Sequence, residues 1–254
     1  MSQVTDHYDH LLAEHYTWMI GGDLEKAAAG SADRLRYLGA TPEATTVDSP
    51  AGTAVDLGCG PGAQVLALAD LGFDRAIGVD TSTQLLDELM THASGREAVH
   101  AVNADLVDAL PDVLDGEQAD VILCMGDTVP HLPDHDAVTS LFTRASSSLT
   151  PGGKLVLTYR DLTQPHNGDD RFIPVRSDGD RIMTCFLEDL NADTVMVTDL
   201  VHLRTGDRWH LHKSSYPKLR LSPDWIHDQL ESAGLAVTHH QQAESGLWTT
   251  VSRK

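Results

Sequence analysis

The stretch Ala54-Val55-Asp56-Leu57-Gly58-Cys59-Gly60-Pro61-Gly62-Ala63, followed by Ala76-Ile77-Gly78-Val79-Asp80, decides how this chain folds. A short apolar, β-branched run has the pattern of a buried strand. It enters a loop with three alternate glycines, and a helical pattern over 64–71 leaves it. Glycine lets the backbone take positive φ and approach a ligand with no Cβ in the way. A helix N-terminus behind such a loop offers unpaired N–H groups to a polar or anionic ligand end. The second run delivers Asp80 where a carboxylate can accept hydrogen bonds from two ribose hydroxyls. Together these features predict a nucleoside-ligand site on a doubly wound α/β fold.

Two ligand readings share this pattern. Gly58, Gly60 and Ala63, with an acid about 20 residues on, satisfy the degenerate dinucleotide fingerprint, which taken alone points to NAD. Gly62, however, makes the spacing G-x-G-x-G, and Asp56 stands two residues before the first glycine. That arrangement resembles motif I of the class I S-adenosylmethionine-dependent methyltransferases. Later blocks fall where that family places them: Asn103-Ala104-Asp105-Leu106 after a third strand, Asp120 to Met125 as a buried fourth strand, and Leu149-Thr150-Pro151-Gly152-Gly153 as a turn feeding a fifth. The resemblance implies S-adenosylmethionine as cofactor and a Rossmann-like sheet, mostly parallel with an antiparallel last strand.

Composition bounds the rest. The chain has 254 residues, enough for one large α/β domain with room for an insertion. No apolar run approaches the ~20 residues that span a bilayer, and the N-terminus lacks a basic segment followed by an apolar core. Cys59, Cys124 and Cys185 lie far apart without metal-ligand spacing, which predicts a reduced, cytoplasmic setting. The formal charge is −20, with 5 lysines against 13 arginines. Such a surface repels phosphate backbones, and Arg34 with Arg36 is too small a basic patch to offset it, so nucleic acid is not the expected partner. The acidity fits either a salt-rich cytoplasm or a biased genomic composition with a solvated surface.

Periodicity predicts a single domain over 1–254 with distinct parts. An N-terminal helical lid spans 1–45, with helices over 4–20 and 24–38 and a polar link from 40 to 52. The S-adenosylmethionine-binding core spans 50–160, in alternating strands and helices. Runs at 172–175, 181–187, 194–203 and 209–219 then read as strands of an antiparallel β insertion within 165–220. In the closing segment 221–254, Ser222-Pro223-Asp224 starts a helix that Gly234 ends, and 235–239 and 247–251 form the last antiparallel pair.

Substrate chemistry is expected at the exit of the fourth strand, since open α/β sheets bind ligands outside the carboxyl ends of their strands. The segment Gly126-Asp127-Thr128-Val129-Pro130-His131-Leu132 resembles the corresponding loop of glycine N-methyltransferases, and Thr158-Tyr159-Arg160-Asp161 resembles a second segment of theirs. Ser215-Tyr216-Pro217 has a loose counterpart. The resemblance implies that Arg160 holds an acceptor carboxylate; Asp127, His131 and Tyr216 are expected to face the acceptor, and Tyr159 either orients it or simply packs. Asp127 stands where that family has asparagine; it either holds an acceptor ammonium or caps a helix. The donor is expected to meet Asp56, Gly58, Cys59, Gly60, Gly62, Asp80, Thr81, Asp105, Leu106 and Met125. Tyr8 and Tyr16 on the lid either close over it or simply pack.

A sulfonium already activates the methyl group, so the protein mainly aligns a nucleophile and excludes water. His131 is the candidate base if the nucleophile arrives protonated. The 14 histidines form no recognisable ligand set, and no metal is expected. The expected activity is methylation of a small molecule, an amino acid or amine at nitrogen. Aminocarboxypropyl transfer or cyclisation on the same fold and a non-catalytic donor-binding subunit stay open, as does a homodimer.

Overall fold

The computed structural model describes residues 3–42 and 52–254, so most of the expected polar link lies outside the described residues. A seven-stranded sheet forms the centre. It contains β1 (Thr53–Leu57), β2 (Arg75–Asp80), β3 (Val99–Asn103), β4 (Ala119–Cys124), β5 (Leu149–Arg160), β10 (Ala236–Gln242) and β11 (Leu247–Arg253). Their order is β10-β11-β5-β4-β1-β2-β3. The five core strands run parallel, whereas β11 runs antiparallel to both β5 and β10. The reversal of strand order beside β1 makes a topological switch point at the carboxyl end of the sheet.

Alternation along β1 explains why both faces of the sheet are buried. Val55 and Leu57 enter one core with α6 (Ala109–Leu114), α7 (His135–Ser148) and α8 (Pro223–Ser232). Ala54 enters the other, with α3 (Leu24–Tyr37), α4 (Ala63–Asp70) and α5 (Thr83–His92). The predicted start of α8 is present: the Ser222 hydroxyl accepts from Trp225 N at 3.1 Å, and Pro223 opens the helix. One boundary differs. Strand β5 begins at Leu149, upstream of the expected Pro-Gly-Gly turn, because Ala119 already pairs with Leu149 before the register shifts. The turn residues are thus an irregularity within the strand.

After β5 the chain forms a second, antiparallel sheet: β6 (Phe172–Ser177), β7 (Arg181–Asp189), β8 (Thr194–Thr205) and β9 (Arg208–Leu219). This meander cannot bury its inner face alone. The N-terminal helices α1 (Gln3–His7) and α2 (Ala13–Met19) cover it, with Leu11, Leu12 and Trp18 packed on Met183 and Val201. Between those helices Tyr8–Leu12 is a π-helical segment. Eight residues of regular α-helix would leave Tyr8 and Tyr16 ~80° apart. The wider π turn brings their rings to 6.1 Å between centroids, over the carboxyl end of the main sheet.

Candidate active site

The loop after β1 is tied down before any ligand arrives. Gly58 N and Cys59 N both donate to Val79 O, at 2.8 and 3.0 Å, which anchors the loop to β2. Gly60 N donates to Asp80 Oδ2 at 2.8 Å, and Ser82 N donates to Asp80 Oδ1 at 2.9 Å. Each Asp80 oxygen therefore carries one fixed backbone bond and keeps a lone pair for a ligand. Burial pushes the Asp80 carboxyl above its usual range, and the backbone donors pull it part of the way back.

A cavity of 440 Å³ opens beside this carboxylate. The donor half of its wall contains Gly58, Gly60, Asp80, Thr81, Asp105 and Leu106, with Tyr8 and Tyr16 above. Gly60 has φ +53°, and a Cβ there would occupy the space up to ordinary van der Waals contact with the Tyr16 ring, at 3.5 Å. The bare backbone therefore makes a cradle that any side chain would fill. Asp105 closes its own turn, accepting from Val107 N at 2.9 Å through Oδ1.

Other residues expected at the donor have structural duties instead. Gly62, at φ +93°, lies off the wall; a Cβ there would sit 2.2 Å from Leu89 Cδ1, so the glycine allows α4 to pack on α5. Cys59 and Met125 are buried in the second core and do not line the cavity. Asp56 is buried beneath the loop rather than on the wall. Its Oδ2 has no hydrogen-bond partner among the described residues, and burial, with Asp80 nearby, pushes its carboxyl up to about 8.

The acceptor half differs more sharply from expectation. Arg160 does not reach the cavity. Its exposed guanidinium donates to Ser245 O at 2.8 Å, while its backbone N donates to Asp127 Oδ1 at 2.8 Å. The cause is the turn that packs beside it: Arg160 ends β5 opposite Leu247, where the 243–246 turn holds its side chain. Tyr159 is wholly buried in the main core, away from the site. Asp127, expected to hold an acceptor ammonium, already pairs with the ammonium of Lys218. It takes the left-handed conformation (φ +70°), and its N–H donates to Thr158 O at 3.1 Å.

His131 does line the cavity, and its Nδ1 has no partner among the described residues. It stacks on Tyr216 with centroids 5.1 Å apart, and Tyr8 lies 6.1 Å away on another side. Burial, then Lys218 and His7, hold the His131 pKa well below its usual value, so the imidazole is neutral. Tyr216 backs this wall and is itself packed on His7 at 4.3 Å.

Three features were missed in the sequence. Lys218 lines the cavity from β9, and its signal was a lysine inside an otherwise apolar strand end. Thr128 forms the wall opposite Gly58. A buried pair, His7 Nε2 with Asp199 Oδ2 at 2.9 Å, ties the N-terminal helix to β8; nothing in either segment announced it. Among the described residues no group of three or more His, Cys, Asp or Glu converges as a metal site. No described helix is long and apolar enough to cross a membrane.

Residues 54–153 match the family described as Methyltransferase domain. A ubiquinone biosynthesis O-methyltransferase of Methylococcus capsulatus is 35% identical over 140 residues, covering 55% of this chain and 54% of that one. Glycine N-methyltransferase of Mus musculus is 27% identical over 117 residues, 42% of this chain and 40% of that one. These matches span about half, or less, of each relative's own length. The structure of S-adenosylmethionine-bound CalS10, an amino pentose methyltransferase from Micromonospora echinaspora, superposes with a TM-score of 0.68 at 18% identity, over 94% of this chain and 95% of that one. Residues 54–153 thus form a methyltransferase domain, and the chain, with its switch-point cavity and antiparallel last strand, shares the fold of a solved S-adenosylmethionine-dependent methyltransferase.

Proposed function

We propose that the chain transfers a methyl group from S-adenosylmethionine to a small molecule, and that the accepting atom is an amine nitrogen. The observation that carries this reading is the covered cavity, with a fixed carboxylate at one end and a neutral imidazole at the other. The donor half fits the cofactor: Asp80 would take the ribose hydroxyls, Asp105 and Leu106 the adenine, and the Gly58–Gly60 backbone the methionine portion. When bound, the cofactor supplies an already activated methyl group. The protein's own part is positioning and exclusion of water. The His131 ring, which lines the cavity, would accept a hydrogen bond from the acceptor N–H and aim the nitrogen lone pair. Its depressed pKa suits this orienting role better than storage of the proton.

The amine preference draws on the likeness to glycine N-methyltransferase and the fold shared with an amino pentose methyltransferase. Methylation of oxygen is the second reading, favoured by the 35% identical O-methyltransferase. The test is calorimetric binding of S-adenosylmethionine and S-adenosylhomocysteine, with NAD as control. A screen of amino acids, amino sugars and phenols for S-adenosylhomocysteine release follows. Preferential turnover of phenols would overturn the nitrogen assignment, and release of methylthioadenosine would indicate aminocarboxypropyl transfer. Donor binding without any turnover would leave a binding subunit.

A further inference from the structure

The cavity wall is electrically lopsided. Its carboxylates, Asp80 and Asp105, stand in the donor half, and Lys218 is the one lysine or arginine on the wall among the described residues. Around Lys218 the wall is uncharged: Thr194, Pro217 and Leu219 from the insertion, Leu132 and Pro133 from the loop after β4, and neutral His131. The residue expected to recognise an anionic acceptor group, Arg160, turns its guanidinium to Ser245 instead.

Lys218 is held in place rather than free. Its side chain is 10% exposed, its Nζ pairs with Asp127 Oδ2, and it lies 5.9 Å from the Tyr216 ring centroid. Asp127 is in turn fixed by Arg160 N and Thr158 O in a backbone conformation that few non-glycine residues adopt. Only the lysine of this pair reaches the cavity wall, so the pair presents its positive end to the space. An ammonium has three donors, and Asp127 is the partner seen for one of them. A buried cation with spare donors, backed by a fixed carboxylate, is a preorganised anchor for a small anion.

We infer that Lys218 anchors an anionic group of the acceptor, a carboxylate or a phosphate, and that Asp127 is the positioning residue behind it. This rests on the methyl-transfer reading of the same cavity and adds the charge class of the acceptor.

The test titrates protein saturated with S-adenosylhomocysteine with acetate, inorganic phosphate or methylammonium. Sodium chloride sets the ionic-strength baseline, and the readout is thermal stability. Acetate or phosphate should raise Tm saturably above that baseline and methylammonium should not; whichever anion saturates identifies the group. Lys218→Met should raise the apparent Kd of that anion by about tenfold or more. Because Lys218→Met leaves Asp127 buried and unpaired, the double variant Lys218→Met/Asp127→Asn is measured beside it. Both should bind S-adenosylhomocysteine within about threefold of wild type. Equal stabilisation by methylammonium, no saturable anion, or unchanged anion affinity in the double variant would each overturn the assignment. So would competition between the anion and S-adenosylhomocysteine, which would move Lys218 into the donor site. If wild type fails to bind S-adenosylhomocysteine, the methyl-transfer reading falls, and the anion series on the free protein still tests Lys218.

Discussion

Asp80→Ala is the sharpest probe of the donor site. The carboxylate it removes is held by Gly60 N at 2.8 Å and Ser82 N at 2.9 Å, so the group is aimed before ligand binds. Two ribose hydroxyls would donate to its remaining lone pairs. Hydrogen bonds to a charged group contribute roughly 1.5–3 kcal/mol each, so losing two costs roughly 3–6 kcal/mol, about a hundred- to ten-thousandfold in Kd. The Gly60 N–H loses its acceptor but lines the cavity and can turn to water; the buried Ser82 N–H is left unpaired, at a cost of roughly 1–3 kcal/mol that a domain of this size can bear. The fold should therefore survive. A pH series adds a second readout. Burial raises the Asp80 pKa, and ribose hydroxyls favour the ionised form. Affinity for S-adenosylhomocysteine should therefore weaken as pH falls through that raised value. The variant should lack this slope. Calorimetry with S-adenosylhomocysteine near neutral and mildly acidic pH measures both effects. A variant that binds within about threefold of wild type at neutral pH would refute the role of Asp80.

Further expectations concern neighbouring residues. Gly62→Ala places a Cβ 2.2 Å from Leu89 Cδ1 at φ +93°; strain and overpacking together should cost roughly 2–4 kcal/mol in urea unfolding, and a change within experimental error would show that α4 shifts freely. Arg160→Ala removes an exposed side chain, so stability should change by about 0.5 kcal/mol or less and acceptor KM should hardly move; a large rise in KM would restore the arginine to the acceptor site. Asp56 has a folded pKa of about 8, above its ordinary value. Its stabilising contribution is complete below the unfolded pKa and is lost as pH rises toward 8. Asp56→Asn should therefore raise Tm relative to wild type increasingly between mildly acidic pH and pH 8, and a gain independent of pH would show that the carboxyl is not the cause.

Much of this molecule was legible in its residues because the signals were local. Strand alternation, the glycine loop and the Asp80 terminus each depend on backbone rules acting over a few positions, and they specified the parallel sheet and the donor half of the cavity. The four strands of the insertion were readable for the same reason, from period-two runs between polar turns. The acceptor half was not. Arg160 was read into the cavity from resemblance, yet the direction of a side chain at a strand end depends on which turn packs beside it, here residues 243–246 far along the chain. Asp127 and Lys218 are 91 residues apart, and His7 and Asp199 are 192 apart. No pattern in either segment carries the identity of such a partner. Sequence alone determined the fold class and the donor loop, since these follow from short-range sterics and periodicity. Only the packing of the lid and the insertion onto the sheet decided which charges face the acceptor, because pairing of buried ions is a property of distance in space.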